Sequence, residues 1–389
     1  MERKSTKPFL TLTVFVAMGC AMAAYSQGPL FSAAPASPVA VGEGSGRIFL
    51  ADVNRDGRLD LVTQHLQQRV VTVQLGDGAG RFAAAPGSPI TLTYSPGDIK
   101  LGDVNNDGIL DLAVTSLGRN TVDIFLGDGS GRFSPAPGSP FTVSASANFE
   151  TQGLQLADIN EDGKRDIIAT SSQQNIFATL LGNGRGGVTP GPATTFPAGQ
   201  GRYAFAFGDL DGDGHLDVVV ANGESGVFPE SGRAVLLRGD GKGAFKTTAE
   251  MPVPAGLRYV TLGDVNSDGR LDIVLTCGGN EGSNQLNFLL NQGGGKFAPA
   301  APYDLGVVAW AVVVADVNRD QRNDLVVATV ESVTVLLNGQ SGFAPAPGSP
   351  FRAGPGAFYL AVGDVNQDGK LDVAASSFEG KAVTVLLGR

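Results

Sequence analysis

The sequence predicts an all-β chain folded as a seven-bladed β-propeller of four-stranded blades, on three observations. A nine-residue acidic motif recurs seven times at nearly fixed spacing. Short β-branched runs and Gly-Asp-Gly turns follow each copy in the same order, and no stretch sustains a helical period. Composition agrees: 55 of 389 residues are Gly and only 17% are charged. That is the profile of many short strands joined by tight turns, and of neither a coiled coil nor a disordered tail.

The first element in chain order is a targeting segment. Arg3, Lys4 and Lys7 precede an apolar run from Phe9 to Ala24, with small-residue sites at Ala21-Met22-Ala23 and Ala24-Tyr25-Ser26. This is the layout of a secretory signal peptide over 1–26, cleaved between Ala23 and Gln27, which leaves 27–389 as the propeller. A membrane anchor would need about 20 apolar residues and a stop-transfer flank. The expected location is therefore secreted, periplasmic or cell-surface, with no membrane span. Ala17-Met18-Gly19-Cys20 loosely resembles a lipoprotein site, which makes anchoring through Cys20 the lesser alternative. Once the leader is removed Cys277 is the remaining cysteine, so no intrachain disulfide can brace the fold. Bound ions become the expected staple.

The seven acidic loops follow Asp-apolar-Asn-x-Asp-Gly-x-Leu-Asp in their clearest form, and their first aspartates lie 51, 55, 51, 55, 52 and 48 residues apart. Oxygen-bearing side chains occupy positions 1, 3, 5 and 9. In the first blade these are Asp52, Asn54, Asp56 and Asp60, and in the second Asp103, Asn105, Asp107 and Asp111. The third has Asp158, Asn160, Asp162 and Asp166, and the fourth Asp209, Asp211, Asp213 and Asp217. The fifth has Asp264, Asn266, Asp268 and Asp272, the sixth Asp316, Asn318, Asp320 and Asp324, and the seventh Asp364, Asn366, Asp368 and Asp372. Alternate residues in a tight loop can converge on one ion, and a Gly at position 6 allows the left-handed turn that wraps the chain around it. Three or four carboxylates on hard oxygen favour Ca²⁺ over the smaller octahedral cage of Mg²⁺. Up to seven ions are expected. Gln321 replaces the Gly in blade six, at a cost of about 1 kcal/mol in a left-handed turn, so that site is expected to be weakest.

More than half of the 38 acidic residues lie in these loops, and the rest of the chain carries more Lys and Arg than Asp and Glu. The net charge of −10 is thus a local property that points to captured cations. Position 2 is always Val, Ile or Leu, an apolar peg that holds the loop to its blade.

Each loop is followed by the same strand grammar. In blade one, Ile48 to Ala51 leads in, Leu61-Val62-Thr63 follows, Val71 to Leu75 is the third run, and Gly76-Asp77-Gly78 turns the chain into a fourth near Phe82. The last blade stops at Val383 to Arg389, its third strand. Residues 28–42 resemble the fourth-strand cassettes at Ala85 to Pro89, Ala136 to Pro140 and Ala346 to Pro350. The N-terminal strand is therefore expected to complete blade seven and close the ring, which removes two open edges.

With these residues in view, the repeats resemble the FG-GAP/VCBS repeats of bacterial secreted proteins and of the integrin α-subunit propeller, over residues 28–389. The resemblance implies calcium loops between the first two strands of each blade on one face of the ring, with ligands met on the opposite face. Gln321 departs from the family pattern, as do the weak Phe-Gly and Gly-Ala-Pro elements.

The opposite face would carry the long loops Asn222 to Gly232 and Gly278 to Asn284, and long loops on a rigid scaffold often recognise partners. Tyr203, Tyr259, Trp310 and Phe358 sit near the starts of first strands. Core packing is the expected role, and stacking on sugars at the channel mouth is the alternative. Arg238-Gly239-Asp240 spells an adhesion tripeptide but occupies the common turn, which favours chance. Cys277 reads as a small buried residue.

No enzyme motif is present, and with only His65 and His215 there is little room for histidine-based acid–base chemistry. An enzyme, such as a polysaccharide lyase or hydrolase, would have to draw on Glu224, Glu230, Glu281, Tyr203 and Tyr259. Basic residues are scattered, which disfavours nucleic acid. The expectation is a monomeric, non-enzymatic binding, adhesion or scaffolding module for a protein or carbohydrate ligand.

Overall fold

Runs of a few β-branched residues between Gly turns are too short for helices and fit strands, and they pair with their sequence neighbours. In the computed structural model, which describes residues 28–146, 149–171, 174–197, 203–222, 232–254, 256–277 and 284–389, every regular element is a strand. Blade one comprises Ser45–Ala51, Asp60–His65, Val70–Gly76 and Phe82–Ala84, each antiparallel to the one before. Six further sheets bring the total to seven blades. No helix among the described residues is long and apolar enough to cross a membrane.

In five blades the fourth strand is broken. After Phe82–Ala84 the chain leaves the sheet and returns to the same third strand as Ile90–Thr91. In four of these blades the break falls on an Ala-Pro-Gly-Ser-Pro cassette (Ala-Pro-Ala-Ser-Pro from Ala34 to Pro38), whose serine replaces the missing strand partner, while blade five breaks at Ala300-Ala301-Pro302 without a serine. Ser88 Oγ accepts the Val73 N–H at 2.9 Å, Ser139 Oγ that of Ile124 at 3.0 Å, and Ser349 Oγ that of Val335 at 2.9 Å. Blades three and four, which also lack the cassette, keep unbroken fourth strands, Val188–Thr195 and Phe245–Val253.

The ring closes as expected. Phe31–Ala33 pairs with Ala382–Gly388, Phe31 opposite Gly388, and Val39–Ala40 returns to the same strand. Ser37 Oγ accepts the Val385 N–H at 2.9 Å, the bond made by the other cassettes. Residues from the two ends of the chain thus share blade seven, and its third strand has no open edge.

The core lies between blades. The second strands, such as Asp60–His65 and Asp324–Thr329, are buried along their whole length. Val62, Val71 and Val73 of blade one pack on Ile99, Leu112 and Val114 of blade two. Val383 and Val385 of blade seven pack on Ile48 and Leu61 of blade one, which completes the circle. The first strands line the central channel and the acidic loops cap one end of it.

Candidate functional site

Each acidic loop leaves a first strand and ends at the first residue of a second strand, so Asp60, Asp111, Asp166, Asp217, Asp272, Asp324 and Asp372 are carried into the core. All seven are 0% exposed. One carboxylate oxygen accepts the N–H of position 2, from Val53 to Val365, at 2.8–3.1 Å. The other accepts an N–H at the end of the third strand, from Gly76 to Gly388, at 2.7–3.0 Å. Position 9 is therefore a clamp between loop and sheet. Burial raises these carboxyls above the usual range, Asp324 to about 6, with its neighbours Asp320 and Asp316 adding to the rise.

Positions 1, 3 and 5 lie together at the loop surface. The position-1 carboxylates, Asp52 through Asp364, accept the N–H of position 6 at 2.7–3.0 Å. The position-3 oxygens accept the N–H of position 5 at 2.9–3.1 Å. Those of position 5 accept the N–H of position 7, also close to 3 Å. The donor chemistry fits a hard cation. In blade four Asp209, Asp211 and Asp217 bring one carboxylate oxygen each within 4.8 Å of one another, the one such group among the described residues. The position-2 pegs are buried as predicted, from Leu210 at 0% to Val265 at 7% exposed.

Position 6 has a positive φ in every blade, as the Gly pattern required, including Gln321 at 69°. Position 4 does too, although it is Gly only at Gly212: Arg55, Asn106, Glu161, Ser267, Arg319 and Gln367 lie between 58° and 63°. This turns their side chains toward the next loop. Gln367 Nε2 donates to Gly57 O at 3.0 Å, Asn106 Nδ2 to Gly163 O at 3.4 Å, and Glu161 meets His215. A Cβ on Gly108 would lie 2.6 Å from Arg55 Nη2, and one on Gly369 2.8 Å from Arg319 Nη2. An arginine at position 4 of the preceding blade therefore excludes a side chain at position 6, whereas behind Gln367 and Glu161 a Cβ on Gly57 or Gly214 would meet nothing within 4 Å. Gln321 follows Ser267, which does not reach into its loop as the arginines do. Gln321→Gly is expected to raise stability by about 1 kcal/mol by relieving the left-handed strain, measured by denaturant unfolding. A loss of stability would mean that the Gln321 side chain packs usefully.

The opposite end of the channel is built differently. In six first strands the pairing to the second strand slips by one residue near its start, within Ser45/Ile48, Pro96/Ile99, Thr151/Leu154, Leu257/Tyr259, Ala309/Ala311 and Ala357/Leu360. Such bulges re-aim side chains. The residues inside them, Arg47, Asp98, Arg258, Trp310, Phe358 and Tyr359 among them, line a channel-mouth cavity of about 500 Å³. Four of the bulges rest on polar side chains of the neighbouring second strand. Thr115 Oγ1 accepts the Asp98 N–H at 2.8 Å, Thr170 Oγ1 that of Gly153 at 3.0 Å, Ser376 Oγ that of Tyr359 at 3.2 Å, and Gln64 Oε1 that of Arg47 at 3.3 Å. Blade four has Ala221 here and pairs in unbroken register, whereas blade six has Ala328 at the same position and is bulged without a polar support. These polar residues inside apolar strands were the sequence signal of the cavity.

Arg47 plugs the channel. It pairs with Asp98 of blade two, lies 5.0 Å from the Tyr359 ring centroid of blade seven, and meets Tyr259 of blade five. Asp98 Oδ2 also accepts the Leu154 N–H of blade three at 3.2 Å. Arg258 stacks on Trp310, 4.0 Å from the ring centroid, and Trp310 meets Phe358 edge-on at 4.4 Å. The expectation of core packing is corrected for Trp310 and Phe358, which lie within bulges and line the cavity, while Tyr259 lines the cavity and also packs against the core cluster of Leu286, Val312 and Leu325. The side chain of Tyr203, the candidate residues Glu224, Glu230, Glu281 and Cys20, the long-loop residues 223–231 and 278–283, and the predicted leader lie outside the described residues. Arg238 and Gly239 end the strand Gly232–Gly239 and Asp240 opens the turn that follows, with Arg238 paired to Asp211 of the acidic loop at 2.9 Å. Cys277 is buried, which pushes its thiol up to about 11.

Comparison with known proteins agrees with this architecture. The profile of FG-GAP-like repeats matches residues 52–114, 103–169, 158–220, 264–327 and 316–375. No curated protein sequence matches the chain. Among solved structures, the chain is similar to BBS1N in complex with ARL6DN at a TM-score of 0.63 and 14% identity, over 93% of this chain and 98% of that one. It is also similar to an Agrocybe aegerita lectin described as recognising non-reducing terminal N-acetylglucosamine, at a TM-score of 0.56 and 19% identity, over 88% of this chain and 87% of that one.

Proposed function

Because the chain belongs to the FG-GAP-like repeat family, we propose that it is a secreted, periplasmic or cell-surface binding module, braced by Ca²⁺ at one end of its channel and open to ligand at the other. The observation that carries this reading is the convergence of six bulged strands on one cavity. A fold that needed only stability would keep its strands in register, as blade four does. Cavities of this size suit small ligands or the ends of larger ones. The structural likeness to a sugar-recognising propeller makes carbohydrate the first class to test, with a protein ligand as the other. An enzymatic role finds little support in Tyr259, whose phenol burial raises and which the Arg47 plug already engages.

Positions 1, 3 and 5 of each loop, with position 9 behind them, would hold the ions, from Asp52 through Asp372. Calcium there would offset the repulsion between neighbouring carboxylates and tie first strand to second. Blade six is the weakest of the seven in this reading, so Asp316→Ala is expected to cost little stability in calcium titrations, and a large loss would count against it. Calcium at a hundredfold excess over Kd should stabilise by about 2.7 kcal/mol per site. Thermal melts in calcium and in chelator measure this, and equal melting temperatures would remove calcium from the proposal.

The binding reading is tested by retention on a panel of immobilised polysaccharides. Selective retention that falls in chelator and is lost in Trp310→Ala supports it. No retention on any of them, or retention that Trp310→Ala leaves intact, moves the ligand elsewhere.

A further inference from the structure

The charges around the cavity go further than the fold. Its charged lining consists of Arg47, Asp98, Lys100 and Arg258, three cations against one carboxylate. That carboxylate is already occupied, since Asp98 is paired with Arg47 and accepts the Leu154 N–H. Lys100, two residues further along the same strand, forms no ion pair among the described residues and lies 5.5 Å from the Phe49 ring centroid. Burial lowers its affinity for a proton, with Asp98 opposing the shift and Arg47 adding to it. An ammonium held in such surroundings gains from any anion that enters. Beside the cations stand flat faces, Trp310, Phe358, Phe378, Tyr259 and Tyr359, which suit the C–H faces of a sugar ring.

We propose that the channel-mouth cavity selects a sugar ring bearing a carboxylate, the end residue of an acidic polysaccharide, over its neutral counterpart. The inference rests on the binding reading above and adds the charge of the ligand to it. A carboxylate fits better than a phosphate. Phosphate sites draw on clusters of free backbone N–H groups or helix N-termini. Here every regular element is a strand, and four of the bulge N–H groups are already taken by Gln64, Thr115, Thr170 and Ser376. Lys100 supplies the charge, and Arg258, stacked on Trp310, frames the ring.

Titration calorimetry of the full chain in calcium, with D-glucuronate, D-glucose and D-glucose 6-phosphate at one ionic strength, tests the proposal. Glucuronate is expected to bind at least tenfold more tightly than glucose. Lys100→Met should remove most of that difference and leave glucose binding in place, whereas Lys100→Arg should retain it. Melting curves establish that each variant folds, and Arg258→Gln carries the same comparison should Lys100→Met fail to fold. Equal affinity for glucose and glucuronate overturns charge selection while leaving the binding module standing. Preference for the phosphate overturns the carboxylate. Failure of all three sugars, together with no retention on any polysaccharide, overturns the binding reading itself.

Discussion

Asp166→Ala destabilises the protein by about 3 kcal/mol or more, and the loss persists in a chelator. The carboxylate accepts the Ile159 N–H at 3.0 Å and the Gly182 N–H at 2.7 Å, and it is fully buried. Truncation strands two backbone donors where water cannot reach them, at about 1–3 kcal/mol each. Asp162, four residues earlier, is exposed and bonds within its own loop. Asp162→Ala should therefore fall within about 0.5 kcal/mol of the parent once calcium is removed. Urea unfolding of both variants with and without calcium separates the clamp from the ion site, and equal losses for the two in chelator would refute the distinction.

The buried clamp also carries a pH signature. Asp324 is raised to about 6 in the folded chain by burial, against 3.8 for the free residue. A raised folded value favours the protonated form, so its stabilisation is complete below about 4 and is lost as pH rises through about 6. Asn cannot titrate. In calcium-free protein the stability of Asp324→Asn relative to the parent should therefore climb from pH 4 to pH 7, and a flat difference would mean that this carboxyl titrates normally.

Phe31→Ala is the second large effect, with an expected cost of about 3–5 kcal/mol. Phe31 is 1% exposed and meets Phe351 of blade six edge-on at 5.5 Å. It anchors the strand that completes blade seven, so its loss loosens both the sheet pairing and the packing on blade six. Unfolding midpoints and dye binding by the exposed edge measure this. A cost below about 1 kcal/mol would show that the hydrogen bonds of Ser37 and Phe31–Ala33 hold the ring without the ring contact.

Much of this was legible in the sequence because the acidic loop recurs as an anchor. Counting from Asp52, Asp103 and their equivalents fixed the blades, the pegs at Val53 and Leu210, and the closing strand at residues 28–42. The opposite strand ends were not legible, since no repeated motif marks them. Bulges shift Arg258 and Trp310 out of the alternation that assigns a strand residue to one face, so their burial could not be read by counting. Gln64, Thr115, Thr170 and Ser376 did carry the information, as polar residues in otherwise apolar strands. The left-handed position 4 was hidden for another reason. Arg55 and Glu161 are poor choices for that conformation on local grounds, and what holds them is the neighbouring loop.

That neighbour contact has a consequence for the order of the repeats. Blade four carries Gly212 at position 4 and blade five Ser267, so neither sends a long side chain forward. At those two junctions the following blade reaches back: Asn291 Nδ2 donates to Leu210 O and Asn338 Nδ2 to Val265 O, both at 2.9 Å, and at the first of them Arg238 of blade four also donates forward to Gly294 O. These asparagines stand where most other blades have the turn glycine, as at Gly76 and Gly127. The seven repeats are therefore not interchangeable tiles. Each is cut to mate with one particular successor, and a shuffled or duplicated blade would meet its new neighbour with two fasteners at one joint and none at the next.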